Sequence, residues 1–388
     1  MAERSPDPAA GPAPEVPTSV EALGALLRDA AAAAQAVAVR GRGSRLGLGA
    51  RPTEVARVVA TTGLTGFTRL DAEDLTCGVR AGTPLDEVCA TLAERGLGLA
   101  SGPFPGTGLR TVGGLFAEAP PSSRGADRGA LRSQLLGVRV VDGSGRDFRA
   151  GSRVVKSVTG YDLMKLMVGS GGAYGVVAEL ELRLVRRPAA LLLRRSGVLP
   201  RAEAVALWRR LRRDGPEVLA LDLVLEGEGG RVELLQGGVA GRFAGRARVP
   251  GLDDEEDGAA LWDRVPHEPG RDGPWLRGAV RPSTLPDLLA LCGGRIDGVV
   301  HLQGELQLRA DGLPSPLDPR LRALLDGWPA RLRARLLGGG PGEARPWIGA
   351  AERAGLCMAA RLKRRLAPLL NPGVLAFDTP ALPDEDAP

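Results

Sequence analysis

The residues with the clearest chemical potential are two short glycine clusters and one longer polar segment. Arg40 to Ser44 reads RGRGS, Thr111 to Gly114 reads TVGG, and Lys156 to Val177 reads KSVTGYDLMKLMVGSGGAYGVV. Glycines let backbone N–H groups approach a phosphate without crowding and converge their partial positive charge on it. In RGRGS, Gly41 and Gly43 give the turn, Ser44 a hydroxyl donor, and Arg40 or Arg42 a positive charge. The alternative is an ordinary glycine turn in a chain with 55 glycines. The longer segment holds both tyrosines of the chain, Tyr161 and Tyr174, and two of its three lysines, Lys156 and Lys165; the third is Lys363.

The order of these segments carries more information than any one of them. The 156–177 stretch resembles the K-N-x-x-G-Y-D-L…G-S-x-G-T-L-G-V-I signature of FAD-binding flavoproteins of the vanillyl-alcohol oxidase / p-cresol methylhydroxylase type. Upstream, RGRGS resembles that family's pyrophosphate loop, Arg80 to Pro84 (RAGTP) its strand-to-helix turn, and TVGG its second phosphate and flavin contact. Arg132 and Gly137, in RSQLLGVRVVDGSG, fill the place of its R-D-x-V-L-G segment. Within the family the chain most resembles the FAD-binding subunits of glycolate oxidase, and the likeness extends to Asn371, Pro372 and Gly373.

The resemblance implies a set of cofactor contacts. Arg40, Gly41, Arg42, Gly43 and Ser44 would hold the pyrophosphate, with Arg132 as a further contact; Thr111, Val112, Gly113 and Gly114 would lie along pyrophosphate and isoalloxazine. Gly172, Gly175, Val176 and Val177 would pack near adenine and ribose. It also implies oxidation of a small 2-hydroxy acid, with electrons leaving through partners: a larger flavoprotein subunit and an iron–sulfur subunit. Two departures stand out: Ser133 replaces the usual aspartate, and Gly172-Ala173-Tyr174-Gly175 replaces G-T-L-G. The loop Glu118 to Gly129 also lacks the family's A-S-G run. No histidine precedes His267, which excludes a histidyl-linked flavin on this part of the chain and leads us to expect non-covalent FAD.

No catalytic residue is assigned from the sequence. Large family members supply cap histidines in a pattern such as H-x-G-D-G-N-x-H, which this chain lacks. His301 sits in VVHLQGELQLR, where strand alternation puts His301, Gln303, Glu305 and Gln307 on one side. That side looks either onto the flavin or, as for many half-buried strands, into solvent. His267 reads as a loop histidine, Arg277 and Arg281 as candidate carboxylate clamps, and Tyr161 with Asp162 as a helix start rather than an acid/base pair. Lys156 would meet phosphate or backbone oxygens.

Local patterns supply the elements that must position these groups. Thr18 to Gln35 reads as a helix with Thr18 and Glu21 as a capping box. Ala36 to Val39 is a strand running into RGRGS. Cys77 to Val79 is a strand, followed by a helix with Thr83 as cap and Pro84 first inside, ended by Gly96. Leu135 to Val141 and Asp147 to Arg149 make a hairpin around Asp142-Gly143-Ser144-Gly145. After Gly175, Leu180, Leu182 and Leu184 alternate with Glu179, Glu181 and Arg183, so one face is buried. Beyond Pro188 the composition shifts, since all five tryptophans and both histidines follow it. Helical patterns at 201–213, 284–291 and 317–336 alternate there with strand-like runs at 191–199, 218–225, 231–235 and 299–308.

The expected fold is α+β: a two-part p-cresol methylhydroxylase-type FAD-binding domain over 18–187, then a smaller α+β cap with an antiparallel sheet over 188–355. Residues 356–375 would return to the first domain, and 1–17 and 376–388 read as disordered tails. The chain of 388 residues suits two domains at ~150 or more residues each. No apolar run approaches the ~20 residues of a membrane helix, and the first residues lack the apolar centre of a signal peptide. The four cysteines, Cys77, Cys89, Cys292 and Cys357, are isolated, which fits a reduced cytoplasmic compartment and no metal cluster of the C-x-x-C kind. A net charge of +5 with 3% aromatics gives scattered arginines but no stacking platform, so nucleic acid is not expected as a partner. Two other functions fit parts of the pattern: a self-sufficient sugar alcohol or lactone oxidase, and a scaffolding subunit that has lost its flavin.

Overall fold

The computed structural model describes residues 12–44, 55–102, 109–124, 129–151, 163–214, 218–238, 249–252, 254–257, 275–311 and 335–337. Its first half runs α1 (Val20–Ala32), β1 (Val37–Arg40), β2 (Arg57–Ala60), β3 (Phe67–Asp71), β4 (Thr76–Arg80), α2 (Leu85–Ala93), β5 (Leu97–Gly98), α3 (Val112–Glu118), α4 (Gly129–Gln134), β6 (Leu135–Val141), β7 (Asp147–Gly151), α5 (Leu163–Met167), β8 (Val176–Arg183) and β9 (Val185–Arg186). Strands β1 and β2 pair in parallel, and β3-β4-β8-β6-β7 form an antiparallel five-stranded sheet. Strand β8 alternates as its sequence requires, with Leu180 and Leu182 fully buried and Glu179 and Glu181 on the other side. Each such leucine contributes about 1.5–3 kcal/mol by leaving water.

Two cores share this sheet. Leu85, Val88 and Leu92 of α2 and Val112, Leu115 and Phe116 of α3 pack on Val79, Val138, Leu180 and Leu182. Val20, Leu23, Leu27 and Ala30 of α1 pack on Val37, Val59, Val141, Val176 and Ala178. The second core therefore joins the β1–β2 pair to the beginning of β8.

The second half runs β10 (Ala190–Arg195), β11 (Leu199–Pro200), α6 (Arg201–Asp214), β12 (Ala220–Glu226), β13 (Gly229–Gly238), β14 (Asp254–Asp257), β15 (Trp275–Ala279), α7 (Leu285–Cys292), β16 (Ile296–Val300), β17 (Glu305–Ala310) and β18 (Arg335–Leu337). Among the described residues these strands form one antiparallel sheet in the order β14-β10-β13-β12-β16-β17-β15-β18, with β11 beside β13. Trp208 of α6 and Leu285, Leu288 and Leu289 of α7 cover one face, over Leu221, Leu223, Leu225, Val300, Leu306 and Leu308. The expected α+β class with an antiparallel second sheet is what the chain adopts.

Several local expectations need correction. The cap of α1 is Ser19, not Thr18, and its side chain accepts from the Ala22 N–H at 3.1 Å. The helix stops at Ala32 rather than Gln35 because Ala34 takes a left-handed backbone (φ 52) and Gln35 N–H turns back to the Ala30 carbonyl. Thr83 does not cap α2. Its hydroxyl donates to the Arg80 carbonyl and accepts from Gly66 N–H, which leaves Pro84 at the cap position. The run 299–308 is two strands, not one, broken by a turn at 301–304 where Gly304 has φ 84. Arg335–Leu337, at the end of an expected helix, is an edge strand paired with β15; the rest of 317–336 lies outside the described residues, as do the tails and 356–375 apart from residues 12–17. Among the described residues no helix is long and apolar enough to cross a membrane.

Trp208 is fully buried and its indole N–H donates to the Leu221 carbonyl. Trp208→Ala is expected to cost about 3–5 kcal/mol in chemical denaturation. At the other end, Glu15 hydrogen-bonds Arg57 through both oxygens, at 2.7 and 2.5 Å, beside its own backbone pairing with β2. The Arg57 guanidinium holds the Glu15 carboxyl below its ordinary value. A lowered folded-state value gives stability that is present at neutral pH and lost as pH falls through that value. Glu15→Gln should therefore destabilise by no more than about 1 kcal/mol at neutral pH, since the pair is partly exposed. Acid unfolding curves should converge with wild type as the carboxyl protonates.

Candidate functional site

Strand β1 delivers Arg40 into the glycine loop, and the parallel register with β2 sets Arg40 beside Ala60. The Thr61 hydroxyl donates to the Arg40 carbonyl at 3.4 Å. A Cβ on Gly41 would fall 2.3 Å from Thr111 Oγ1, so the loop lies directly against the start of α3. Gly43 adopts φ 74, a left-handed turn that favours glycine. Arg42 is exposed, while Arg40, Gly41, Gly43 and Ser44 are half-buried.

Helix α3 joins the remaining parts. Thr111 caps it, accepting from Gly114 N–H at 3.2 Å. Val112 N–H donates to the Thr83 carbonyl at 3.0 Å and Gly113 N–H to the Ala81 carbonyl at 2.7 Å. A Cβ on Gly113 would meet Ala81 Cβ at 2.7 Å, so only glycine allows this approach. At the other end, Gly169 and Gly171 N–H groups donate to the Phe116 and Ala117 carbonyls. Arg110, 3% exposed, braces the helix along its length through a 2.7 Å bond to Glu118. Sequence reasoning missed this brace, whose only signal is a pair of opposite charges flanking a short apolar segment.

These bonds divide the labour between the two glycine clusters. The backbone donors at Val112 to Gly114 are already used within the protein. Those of Gly41, Gly43 and Ser44 donate to no acceptor among the described residues. The loop thus has N–H groups to offer an anion, and beside it the exposed Gly114 presents no side chain. That combination fits a pyrophosphate-bearing cofactor.

Of the other expected residues, Gly175 and Val176 join this assembly. Gly175 packs so closely on Val140 that a Cβ would sit 2.5 Å from its Cγ1. Val176 shares the core of Val37 and Val59, under the strand that carries the loop, and Val177 packs on the α2–α3 core. Gly172 takes φ 75 in the turn docked on the end of α3. Arg132 is exposed, and its guanidinium donates to the Lys165 carbonyl at 2.8 Å, tying α4 to α5. Lys156, Tyr161, Asp162, His267 and 371–373 lie outside the described residues.

The thiols offer no nucleophile. Burial pushes Cys77 up to about 12 and Cys292 up to about 11, so both stay protonated and pack as small hydrophobes. Tyr174, 5% exposed, is likewise pushed up by burial. Arg281 is exposed, and the sheet places Arg277 opposite Gln307. The side of β17 that carries Glu305 and Gln307 does not face solvent: His301, Glu305 and Gln307 are 3%, 5% and 6% exposed. Gln303 alone is exposed, at the tip of the turn. His301 Nδ1 lies 2.8 Å from Asp222 Oδ1, a pairing across 79 residues that the sequence did not reveal.

The FAD binding domain family matches residues 15–151. Glycolate oxidase subunit GlcE of Escherichia coli (strain K12) is 37% identical over 146 residues, which are 37% of this chain and 42% of that protein. Glycolate oxidase subunit GlcD of Bacillus subtilis (strain 168) is 33% identical over 149 residues, 38% of this chain and 32% of that protein. D-lactate dehydrogenase of Archaeoglobus fulgidus is 32% identical over 168 residues, 43% of this chain and 37% of that protein. The chain thus spans less than half the length of each of these relatives.

The contact between Gly41 and Thr111 is the tightest point of the site. Gly41→Ala should leave the thermal unfolding midpoint within a few degrees of wild type but weaken FAD retention on gel filtration at least about tenfold, because the loop must move off α3.

Proposed function

Starting from an FAD-binding domain over residues 15–151, we propose that the chain is an FAD-dependent oxidoreductase acting on the CH–OH group of a small 2-hydroxy acid. It works as the FAD-binding subunit of a glycolate oxidase-like complex in the cytoplasm, beside a larger flavoprotein subunit and an iron–sulfur subunit. The observation that carries this reading is the convergence on α3: the 40–44 loop at one end, where the N–H groups of Gly41, Gly43 and Ser44 donate to no acceptor among the described residues, and the 169–175 turn at the other. The names of the relatives, two glycolate oxidase subunits and a D-lactate dehydrogenase, support the substrate class.

In this reading Arg40, Gly41, Arg42, Gly43 and Ser44 hold the pyrophosphate, with Arg40 or Arg42 meeting its charge. Thr111, Val112, Gly113 and Gly114 lie along pyrophosphate and ring, with Gly113 letting this segment sit close on Ala81. Gly172, Gly175, Val176 and Val177 close the adenine and ribose side. Arg132, which also fixes α5, is a further contact. Bound non-covalently, FAD supplies the acceptor for the two electrons leaving the substrate carbon. The FAD-binding domain occupies 18–187 and a cap 188–355, with 356–375 closing back on the first domain.

The test is the visible spectrum of the purified chain, followed by acid precipitation. The two-banded spectrum of oxidised flavin, with FAD recovered in the supernatant, is the expected result. Anaerobic glycolate or D-lactate should then bleach it in the complex. A colourless chain that takes up no added FAD overturns the reading in favour of a scaffolding subunit.

A further inference from the structure

The chain crosses from its first half to its second with almost no slack. Leu184 N–H donates to the Leu75 carbonyl at 2.7 Å, Val185 and Arg186 form β9 against β5, and Arg187 N–H donates to the Gly96 carbonyl at 2.8 Å. Strand β10 of the second sheet begins at Ala190. Only Pro188 and Ala189 therefore lie between a ladder held by the first half and one held by the second.

Neighbouring residues of this crossing serve different cores. Successive strand side chains point to opposite faces, and here Leu184 is buried in the α2–α3 core while Val185 packs with Leu191, Ala220 and Leu235 of the second sheet. Pro188 adds a second contact. A Cβ on Gly237 would lie 3.1 Å from its Cγ, so the link runs close over β13.

Strand β5 is bound in turn to the segment that leaves α3. Leu97 and Leu99 are buried in the α2–α3 core. The residues that follow carry a compact set of hydrogen bonds. Ala100 N–H donates to Gln134 Oε1 at 3.0 Å and Gly102 N–H to Ser122 Oγ at 3.2 Å, while the Gly102 carbonyl accepts from the backbone N–H and Nε of Arg124 at 2.9 and 3.1 Å. The Ser101 and Gln134 side chains, both buried, bond each other. Ser122 and Arg124 lie just beyond Glu118, the last residue of α3. Hydrogen bonds and packed side chains thus run without a break from the end of α3 through β5 and β9 to the second sheet.

Such a network carries coupling only where both ends bias one two-state element. We propose that the β5–β9 ribbon is this element, and that through it occupancy of the FAD site controls how firmly the second sheet is folded. A ligand stabilises only what unfolds together with its site, so FAD bound along α3 reaches the second sheet only if the ribbon makes the two halves one unit. Linkage is reciprocal, so weakening the second sheet loosens FAD. The inference rests on the functional reading above and adds regulation of that same site: an unloaded chain presents a looser second half.

All five tryptophans follow Pro188, so tryptophan fluorescence reads the second half alone, while FAD retained on ultrafiltration reads the first. Both are followed through urea unfolding of the full chain, with and without added FAD. The variants are Leu223→Ala, in the core under α6 and α7, and a chain that combines Val185→Asp with four Gly/Ser residues inserted between Arg187 and Pro188. In wild type the two transitions should coincide, and FAD at about 100 times its Kd should raise the tryptophan midpoint by roughly 1 M urea. Leu223→Ala should bring FAD loss to lower urea together with the tryptophan transition. The combined variant should separate the two transitions and lose most of the FAD-dependent shift. A wild-type tryptophan midpoint that ignores FAD, FAD loss unchanged in Leu223→Ala, or a full shift in the combined variant overturns this proposal and leaves the functional reading intact. The first two outcomes decide the matter even where the combined variant does not fold. A wild-type chain that retains no FAD even without urea overturns both.

Discussion

The first half of the molecule depends on the backbone of Ala81 and Gly82 being approached from three directions at once. Ala81 N–H donates to the Ala178 carbonyl of β8, Ala81 carbonyl accepts from Gly113 N–H of α3, and Gly82 N–H donates to the Leu64 carbonyl. A Cβ on Gly82 would sit 1.8 Å from the Thr61 carbonyl oxygen, closer than any side chain can tolerate. The turn between β4 and α2 is therefore a backbone junction, and glycine is what lets the segment after β2 and the turn touch. Move it, and the position of α3 relative to the 40–44 loop moves with it, because Thr83 and Ala81 carbonyls hold the first turn of α3.

That junction also determines what the glycine clusters can do. A helix start next to a phosphate is usually credited with donating its first N–H groups. Here those donors are committed to Ala81, Thr83 and the Thr111 hydroxyl, so α3 offers surface rather than hydrogen bonds. The polar burden passes to Gly41, Gly43 and Ser44, whose N–H groups meet no protein acceptor among the described residues, and to the arginines around them. The division follows from geometry: a helix pinned at both ends by carbonyl and N–H partners is rigid, while the loop laid over it presents the donors.

What could be read from the sequence was what depends on local rules. The glycine clusters, the hairpin around Asp142 and the alternation of β8 follow from short-range turn chemistry and period-2 patterning. The caps lie one residue from where the pattern puts them because Thr18 adjoins Ser19 and Thr83 adjoins Pro84, and all four suit a helix start; at α2 the choice falls to tertiary bonds such as Thr83 to Gly66 and Arg80. The turn at 301–304 was hidden by an alternating sequence that continues across it, and Gly304 is its one marker. Arg132 stands out by its position in the pattern, while its bond to the Lys165 carbonyl depends on the packing of α4 against α5. The Asp222–His301 pair was invisible for a different reason: only the pairing of β12 with β16 brings it together.

The two sheets handle polarity in opposite ways. In the five-stranded sheet the charged side carries partly exposed ion pairs, Arg139 with Asp147 and Glu179 and Arg149 with Glu179. Such pairs contribute little either way, about 0–1 kcal/mol each. In the nine-stranded sheet the polar side withdraws Asp222, His301, Glu305 and Gln307 from water, where desolvation costs several kcal/mol per charge unless hydrogen bonds recover it. The first arrangement is a solvated surface of the kind any antiparallel sheet can have. The second holds an imidazole and its carboxylate partner together out of water on one sheet face. Stability alone does not call for that arrangement.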